Sequence, residues 1–460
     1  MSAMDIFLGK GLIQKSKTFT WSPDHRLSLN PHLLITGKSG AGKTRKILNI
    51  IKALQEAGKT VMVLDLHGDL HVPGEKHIEY TVRNSAYGIN PFEFETDEKN
   101  GGPAINVLNI VQMFKKNFWS QMGALQEGVL KNLLLDTYRY KGIYDENPAS
   151  WPSENTHDDL PTMKDLYKVF TMIKNLQSSE GDISKHFTTI CSEVYSYKQK
   201  SLSTTVDKTK ERHINSINER KDDFDKAYET FKSYVFGEGT SPVEVDDLSK
   251  YNIDLTLYEN KKTRSVLEAL EPYIRDFSDT AIFNESIPKL IKGVNRFDIS
   301  GFTNMAKPDM ALFFADNWVQ RIFRKAKLQG EVSLETHGYK TKVFIVMDES
   351  RIVLPTGRDK TNPYHILNKV ALEARKYGLG LVMGSQRATH FSAELLTSFY
   401  TKLILRTDSA DVKSTADALG IPKKDIGYFD TIDKKQGAGI LLQEGKVIPV
   451  TVWEPSTEAA

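Results

Sequence analysis

The sequence predicts an α/β fold with a mostly parallel sheet, split by a large helical insertion, on three observations. The first is the run Gly37-Lys38-Ser39-Gly40-Ala41-Gly42-Lys43-Thr44. It lies between a short apolar strand (Leu33, Leu34, Ile35) and residues 45–57, where Ile47, Leu48, Ile51 and Leu54 recur at helical spacing. The second is another apolar strand, Thr60 to Leu66, one helix later. Strand, helix and strand at this spacing form a βαβ unit, which makes neighbouring strands parallel. The third is the break in pattern from about 104 to 285. Helical periodicity dominates there, over 105–141, 163–178, 183–236 and 262–278.

In chain order, residues 1–30 form a short mixed segment in which Thr18–Trp21 reads as a strand. The first part of the α/β core runs from 31 to 103 and includes a weak strand at Ile78–Val82. Residues 104–285 form the mainly helical insertion, with a Pro-, Ser-, Asn- and Asp-rich loop from Asn147 to Pro161. The stretch 198–232 is dense in charges of both signs, the pattern of a solvent-exposed or paired helix. The second part of the core, 286–460, reads as strand 294–300, helix 308–328, strand 343–347, helix 363–377, strands 379–383 and 402–406, and a hairpin over 437–452 turning at Glu444-Gly445.

The run from Gly37 to Thr44 fits G-x-x-x-x-G-K-[ST], the P-loop. Gly37, Gly40 and Gly42 let the backbone bend, so that N–H groups, Ser39 and Ala41 among them, face phosphate oxygens. The following helix N-terminus adds partial positive charge at the same place. Lys43 reaches the β- and γ-phosphates, and the Thr44 hydroxyl is a Mg²⁺ ligand. Val343–Met347 is an apolar strand ending in Asp348-Glu349. Two solvated acids would give the same pattern, but after a P-loop the pair reads as a Walker B. Asp348 then binds the nucleotide's Mg²⁺, and Glu349 polarises the attacking water. A Glu beside the Walker B Asp favours water as acceptor, hence hydrolysis of ATP over phosphoryl transfer to a nucleoside. Strand 379–383 leads into Ser385-Gln386-Arg387. The Gln386 amide donates and accepts at once, which suits orienting water or sensing a γ-phosphate; an ordinary loop glutamine is the alternative.

The ordered set of motifs resembles a family. Asp65-Leu66-His67-Gly68-Asp69 is similar to the Asp-Pro-His-Gly-Asp/Glu signature of HerA-type ATPases and conjugative coupling proteins. Ile89-Asn90-Pro91-Phe92 resembles their Asn-Pro-Leu/Phe element. Glu373-Ala374-Arg375-Lys376-Tyr377-Gly378, followed by a strand and Ser385-Gln386-Arg387, resembles their Glu-x-Arg-Lys-x-Gly…Ser-Gln-Arg-Pro block. The resemblance covers roughly residues 30–455 and points to the HerA-like side of the HerA/FtsK superfamily. It implies a RecA-like ATPase using ATP and Mg²⁺, assembled as a homo-oligomer, usually a hexameric ring, that moves DNA, mainly double-stranded, or drives substrate transport. It also implies sites shared between subunits, with Arg375 the first and Arg406 the second candidate for an arginine supplied in trans; a surface salt bridge is the alternative for each. Two departures stand out: Leu66 and Ala388 occupy positions where the family carries proline. Only about 30 residues precede the P-loop strand, too few for the N-terminal β-barrel of HerA proteins. A partner is therefore expected to load this ATPase, and single-ring relatives often work beside a nuclease, as in DNA repair or phage defence.

Composition sets bounds on partners. The 460 residues carry a net charge of +2, too little to imply nucleic acid without a local basic patch. Arg351, Arg358 and Lys360 follow the Walker B acids in a polar loop, where they would meet DNA phosphates if the loop lines a pore; a solvated loop reads equally well. Cys191 is the single cysteine, which excludes an intrachain disulfide and a cysteine metal site. The N-terminus lacks a signal-peptide pattern, and no apolar run reaches the ~18 residues of a membrane span. A cytoplasmic ATPase is expected. Its two rivals are a secretion- or conjugation-type transport ATPase and an ATP-dependent oligomeric switch that activates a bound effector.

Overall fold

The structure, a computed structural model, describes residues 4–24, 30–99, 101–152, 159–175, 248–258, 260–303, 308–332, 340–354 and 365–453, with isolated positions between 221 and 229. Two compact units result. The first comprises Met1–Glu95, Leu108–Met122 and Thr280–Ala460, the second Thr96–Val107 and Gly123–Asp279.

The first unit is built on one sheet of eleven strands: β1 (Ile6–Gly11), β2 (Thr18–Trp21), β3 (Leu33–Thr36), β4 (Thr60–Asp65), β5 (Lys76–Glu79), β6 (Val294–Asp298), β7 (Val343–Met347), β8 (Leu379–Ser385), β9 (Thr401–Ile404), β10 (Ala438–Gln443) and β11 (Lys446–Thr451). Their order across the sheet is β2-β1-β11-β10-β9-β3-β8-β7-β4-β6-β5. Every pairing from β9 to β5 is parallel. Those among β9, β10, β11, β1 and β2 are antiparallel. The central parallel strands β3, β4, β7 and β8 are wholly or nearly wholly buried, as strands covered on both faces must be. Helix α1 (Lys43–Glu56) packs its apolar stripe, Ile47, Ile50, Ile51 and Leu54, on Leu33, Ile35, Val61 and Val63 beneath it.

Parallel register lines up the strand ends. Leu64 pairs with Met347, so Asp65 and Asp348 stand side by side at the carboxyl edge. Asp65 in turn pairs with Asp298 of β6, and Thr36 pairs with Ser385 on one side and Ile404 on the other. The P-loop, the Walker B acids and the Gln386 turn therefore leave adjacent strands at the same edge, where open α/β sheets bind ligands.

Several expectations are revised. Residues 1–30 hold two strands of the sheet where one was expected: β1 pairs with β11, and β2 with β1. Ile6–Gly11 carries no strand signature in the sequence because two glycines and a lysine break its alternation, and its β11 partner lies over 400 residues away. The helix expected over 105–141 is two helices, α2 (Pro103–Asn117) and α3 (Ala124–Tyr140), separated at Phe118–Gly123. The insertion is smaller than 104–285. Lys116 Nζ donates to both Asp316 oxygens (2.9 Å each) and to the Val353 carbonyl (2.9 Å), which ties the end of α2 into the first unit. Ala281 and Ile282 bond to Val82 and Ile89 in the same unit. The helix expected over 363–377 is α-helical only at Ile366–Glu373 and tightens to a 3₁₀ turn at Ala374–Tyr377.

In the second unit, helices α3 and α4 (Lys261–Asp279) carry most of the described core, with residues 163–175 also helical. Asp136, fully buried, accepts from Tyr258 Oη (2.6 Å) and pairs with Arg139 (2.7 Å). Burial raises the Asp136 carboxyl, while these two donors pull it back. The helix expected over 183–236 lies almost wholly outside the described residues.

Candidate nucleotide-binding site

The P-loop follows β3 directly. Gly40 (φ 74°) and Gly42 (φ 91°) occupy left-handed backbone that β-carbon residues disfavour. Ser39 and Gly40 form the exposed tip. The loop is anchored on both sides, with Gly37 N–H on the Ser385 carbonyl (3.2 Å) and Lys38 N–H on the Arg406 carbonyl (2.7 Å). Lys43 is 8% exposed, and its Nζ leans back on the Lys38 carbonyl at 3.4 Å, within reach of any phosphate the loop holds.

Thr44 Oγ1 donates to Asp348 Oδ2 at 2.6 Å, joining the two halves of the site across about three hundred residues of sequence. A hydroxyl and a carboxylate are hard oxygen donors of the kind Mg²⁺ takes while keeping water and phosphate ligands. The residues thus fit the metal that the sequence implies. Gly384, unremarked in the sequence, makes room for them. A Cβ there would stand 2.5 Å from Asp348 Oδ1 and 2.8 Å from Ile47 Cδ1. A glycine inside an apolar strand was the available signal.

Glu349 adopts φ 50°, ψ 44°, left-handed backbone for a residue with a Cβ. Such conformations cluster where the surroundings hold a functional group in place. Asp348 Oδ1 accepts the Glu349 N–H at 2.9 Å, and Gln386 Nε2 donates to Glu349 Oε2 at 3.1 Å. The structure therefore brings together Lys43, Thr44, Asp348, Glu349 and Gln386.

It separates the arginines. Arg375 precedes β8, at the opposite, amino edge of the sheet, near buried His32. It is out of reach of its own P-loop. Arg406 follows β9 beside its own P-loop and makes the salt bridge weighed as its alternative role: its Nε and Nη2 both donate to Asp433 Oδ1 (3.3 and 3.1 Å), a carboxylate also 3.6 Å from Lys38. Of the DNA candidates, Arg351 is exposed just past Glu349, whereas Arg358 and Lys360 lie outside the described residues.

Beside the Walker B lies a loop the sequence marked only by resemblance. The Asp65 carboxylate accepts the N–H groups of His67 (3.2 Å), Gly68 (2.8 Å), Asp69 (3.3 Å) and Leu70 (3.1 Å). Arg296 braces it, bonding Asp65 (3.0 Å), Asp298 (3.0 Å) and Glu75 (2.7 Å). His67, Gly68 and Asp69 are thereby held exposed at the sheet edge. Partial burial raises the Asp69 carboxyl, and the Asp65 and Asp348 charges raise it further.

Fold and site together define a P-loop nucleoside triphosphatase. Residues 25–92 match the family described as the type IV secretion-system coupling protein DNA-binding domain. The chain is 22% identical over 391 residues to the DNA double-strand break repair helicase HerA of Pyrococcus furiosus, an alignment covering 82% of this chain and 56% of that protein. The chain thus spans little more than half of that relative. Among solved structures it resembles VirB4 of Thermoanaerobacter pseudethanolicus (TM-score 0.62, 15% identity, 99% of this chain and 98% of that one). It also resembles the bacterial conjugative coupling protein TrwB lacking its first 70 residues (TM-score 0.50, 13% identity, 98% and 89% covered). The chain is thus similar to P-loop ATPases of the HerA/FtsK type and to the conjugative coupling proteins.

Proposed function

We propose that this chain is the ATP-hydrolysing subunit of a ring-shaped, hexameric motor that translocates double-stranded DNA, and that it works in the cytoplasm. The observation that carries hydrolysis is the contact chain Thr44–Asp348–Glu349–Gln386 at the mouth of the P-loop. Thr44 and Asp348 would hold Mg²⁺, which supplies charge neutralisation at the phosphates. Lys43 and the loop N–H groups bind and orient the triphosphate. Glu349 accepts the proton of the attacking water, and Gln386 fixes the Glu349 carboxylate and a water beside it. Arg375, remote from its own P-loop, serves the site of a neighbouring subunit. Arg351, exposed after the Walker B, contacts DNA phosphate, and Arg358 and Lys360 extend that contact. A nuclease or other effector would act beside the ring.

The match of residues 25–92 to a coupling-protein DNA-binding domain supports the DNA assignment, as does the relative named as a DNA double-strand break repair helicase. The same match favours one second reading, a transport ATPase of the conjugation type. The test is ATP turnover by the purified chain with and without linear double-stranded DNA, with Glu349→Gln as the blank. Stimulation that fades with salt is expected, because phosphate contacts release counterions. Turnover indifferent to DNA would remove the DNA-motor reading and leave the transport one.

A further inference from the structure

The motifs account for the phosphates and the metal but leave the nucleoside without a partner. The sheet supplies one. β11 ends at the same carboxyl edge as the P-loop, because it runs antiparallel to β10, which runs antiparallel to β9, itself parallel to β3. The residue this delivers is Trp453. A Cβ on Gly42 would fall 2.7 Å from Trp453 Cζ2, and one on Gly437 would fall 2.3 Å from Cδ1. The indole therefore lies edge-on against the P-loop's last glycine. Its ring is only partly buried, and the exposed Arg45 holds its guanidinium carbon 4.6 Å from the ring centroid.

Position gives this pair a role. The acids and Gln386 that handle the γ-phosphate lie on the β8 and β7 side of β3. The loop N–H groups cradle the α- and β-phosphates and Lys43 reaches the β- and γ-phosphates, so with the γ-phosphate on the β7 and β8 side the α-phosphate lies at the other end of the loop. The nucleoside then leaves toward the β9–β11 side, where Arg45 and Trp453 stand. We propose that Trp453 and Arg45 form the platform for the purine base of the bound nucleotide. An indole face and a guanidinium plane both stack on purines. Gly42 and Gly437 are required to lack a β-carbon so that the ring can reach this position.

The inference rests on the ATP reading, and its test separates the two. Binding of ADP and of inorganic tripolyphosphate is measured calorimetrically on the full chain, with Mg²⁺, for the wild type, Trp453→Leu and Arg45→Gln. Trp453→Leu keeps an apolar side chain against Gly42, and Arg45 is exposed, so at least the second variant retains the fold. Loss of stacking is expected to weaken ADP binding by about tenfold in Trp453→Leu and by less in Arg45→Gln. Tripolyphosphate binding should stay within about twofold, since the loop that holds phosphate is intact. Equal weakening of ADP and tripolyphosphate would make Trp453 a prop for the P-loop and overturn the platform, as would unchanged ADP binding in both variants. A wild type that binds neither ligand would overturn the ATP reading itself, and the platform with it.

Discussion

At the scale of single residues, the site is a set of side chains whose backbone is constrained more tightly than their exposure suggests. Glu349 is held in left-handed backbone between the Asp348 carboxylate and the Gln386 amide. Glu349→Gln keeps the shape and removes the proposed base. We expect turnover to fall about 10²–10⁴-fold with nucleotide binding retained, measured by phosphate release and calorimetry. Gly384 has the opposite character, mattering for what it lacks. Gly384→Ala sets a methyl 2.5 Å from Asp348 Oδ1, and overpacking of this kind costs about 1–3 kcal/mol. A lowered urea midpoint together with lost turnover is the expected result; wild-type values for both would mean that Asp348 has room the structure does not show.

At the scale of elements, two devices hold strand ends in register. The first is the Asp65 loop, in which one buried carboxylate satisfies four N–H groups and is itself paired with buried Arg296. Arg296→Met leaves Asp65, Glu75 and Asp298 without their common cation. Breaking a buried pair in this way costs about 3–5 kcal/mol, to be read from denaturant unfolding, with faster amide exchange at 67–70. The second is His32, just before β3, which receives the Leu381 N–H on Nδ1 (3.0 Å) and meets the Ala371 carbonyl through Nε2 (3.1 Å). Burial above all, with Arg375 adding to it, pushes the imidazole down to about 4. The unfolded chain, titrating near 6.5, takes up a proton before the folded one does. Stability is thus fully present above about pH 6.5 and falls as pH drops toward 4. His365, lowered to about 4 by burial and by Lys116, adds in the same direction. Urea midpoints at pH 7 and pH 5 should differ, and His32→Gln should reduce the difference.

At the scale of the whole molecule, the question is what the isolated chain lacks. Arg375 lies at the sheet edge opposite its own P-loop, which on the ring reading makes it the donor to a neighbour. Arg375→Ala should then lose turnover by as much as about 10³–10⁵. Mixing it with Glu349→Gln protein should restore part of that turnover, because some interfaces regain both an intact Glu349 and an intact Arg375. No recovery on mixing, with assembly shown by light scattering, would leave Arg375 without a role in trans. Among the described residues, no helix is long and apolar enough to cross a membrane.

The nucleotide chemistry was legible in the sequence because it depends on local order. A P-loop needs a strand, three glycines and a helix within about twenty residues, and a Walker B needs only an apolar strand ending in acids. The same holds for the Gln386 turn and for most of the parallel strands. Three further features became visible only in the folded chain. Gly384 matters because its strand passes Asp348, Arg406 is tied to Asp433 across the P-loop flank, and Trp453 reaches Gly42 because two antiparallel reversals bring β11 back to the edge that β3 leaves. Strand pairing between distant segments has no local signature. It is selected by burial and hydrogen bonding across the completed sheet, so which residues meet at its edge is decided by tertiary structure alone.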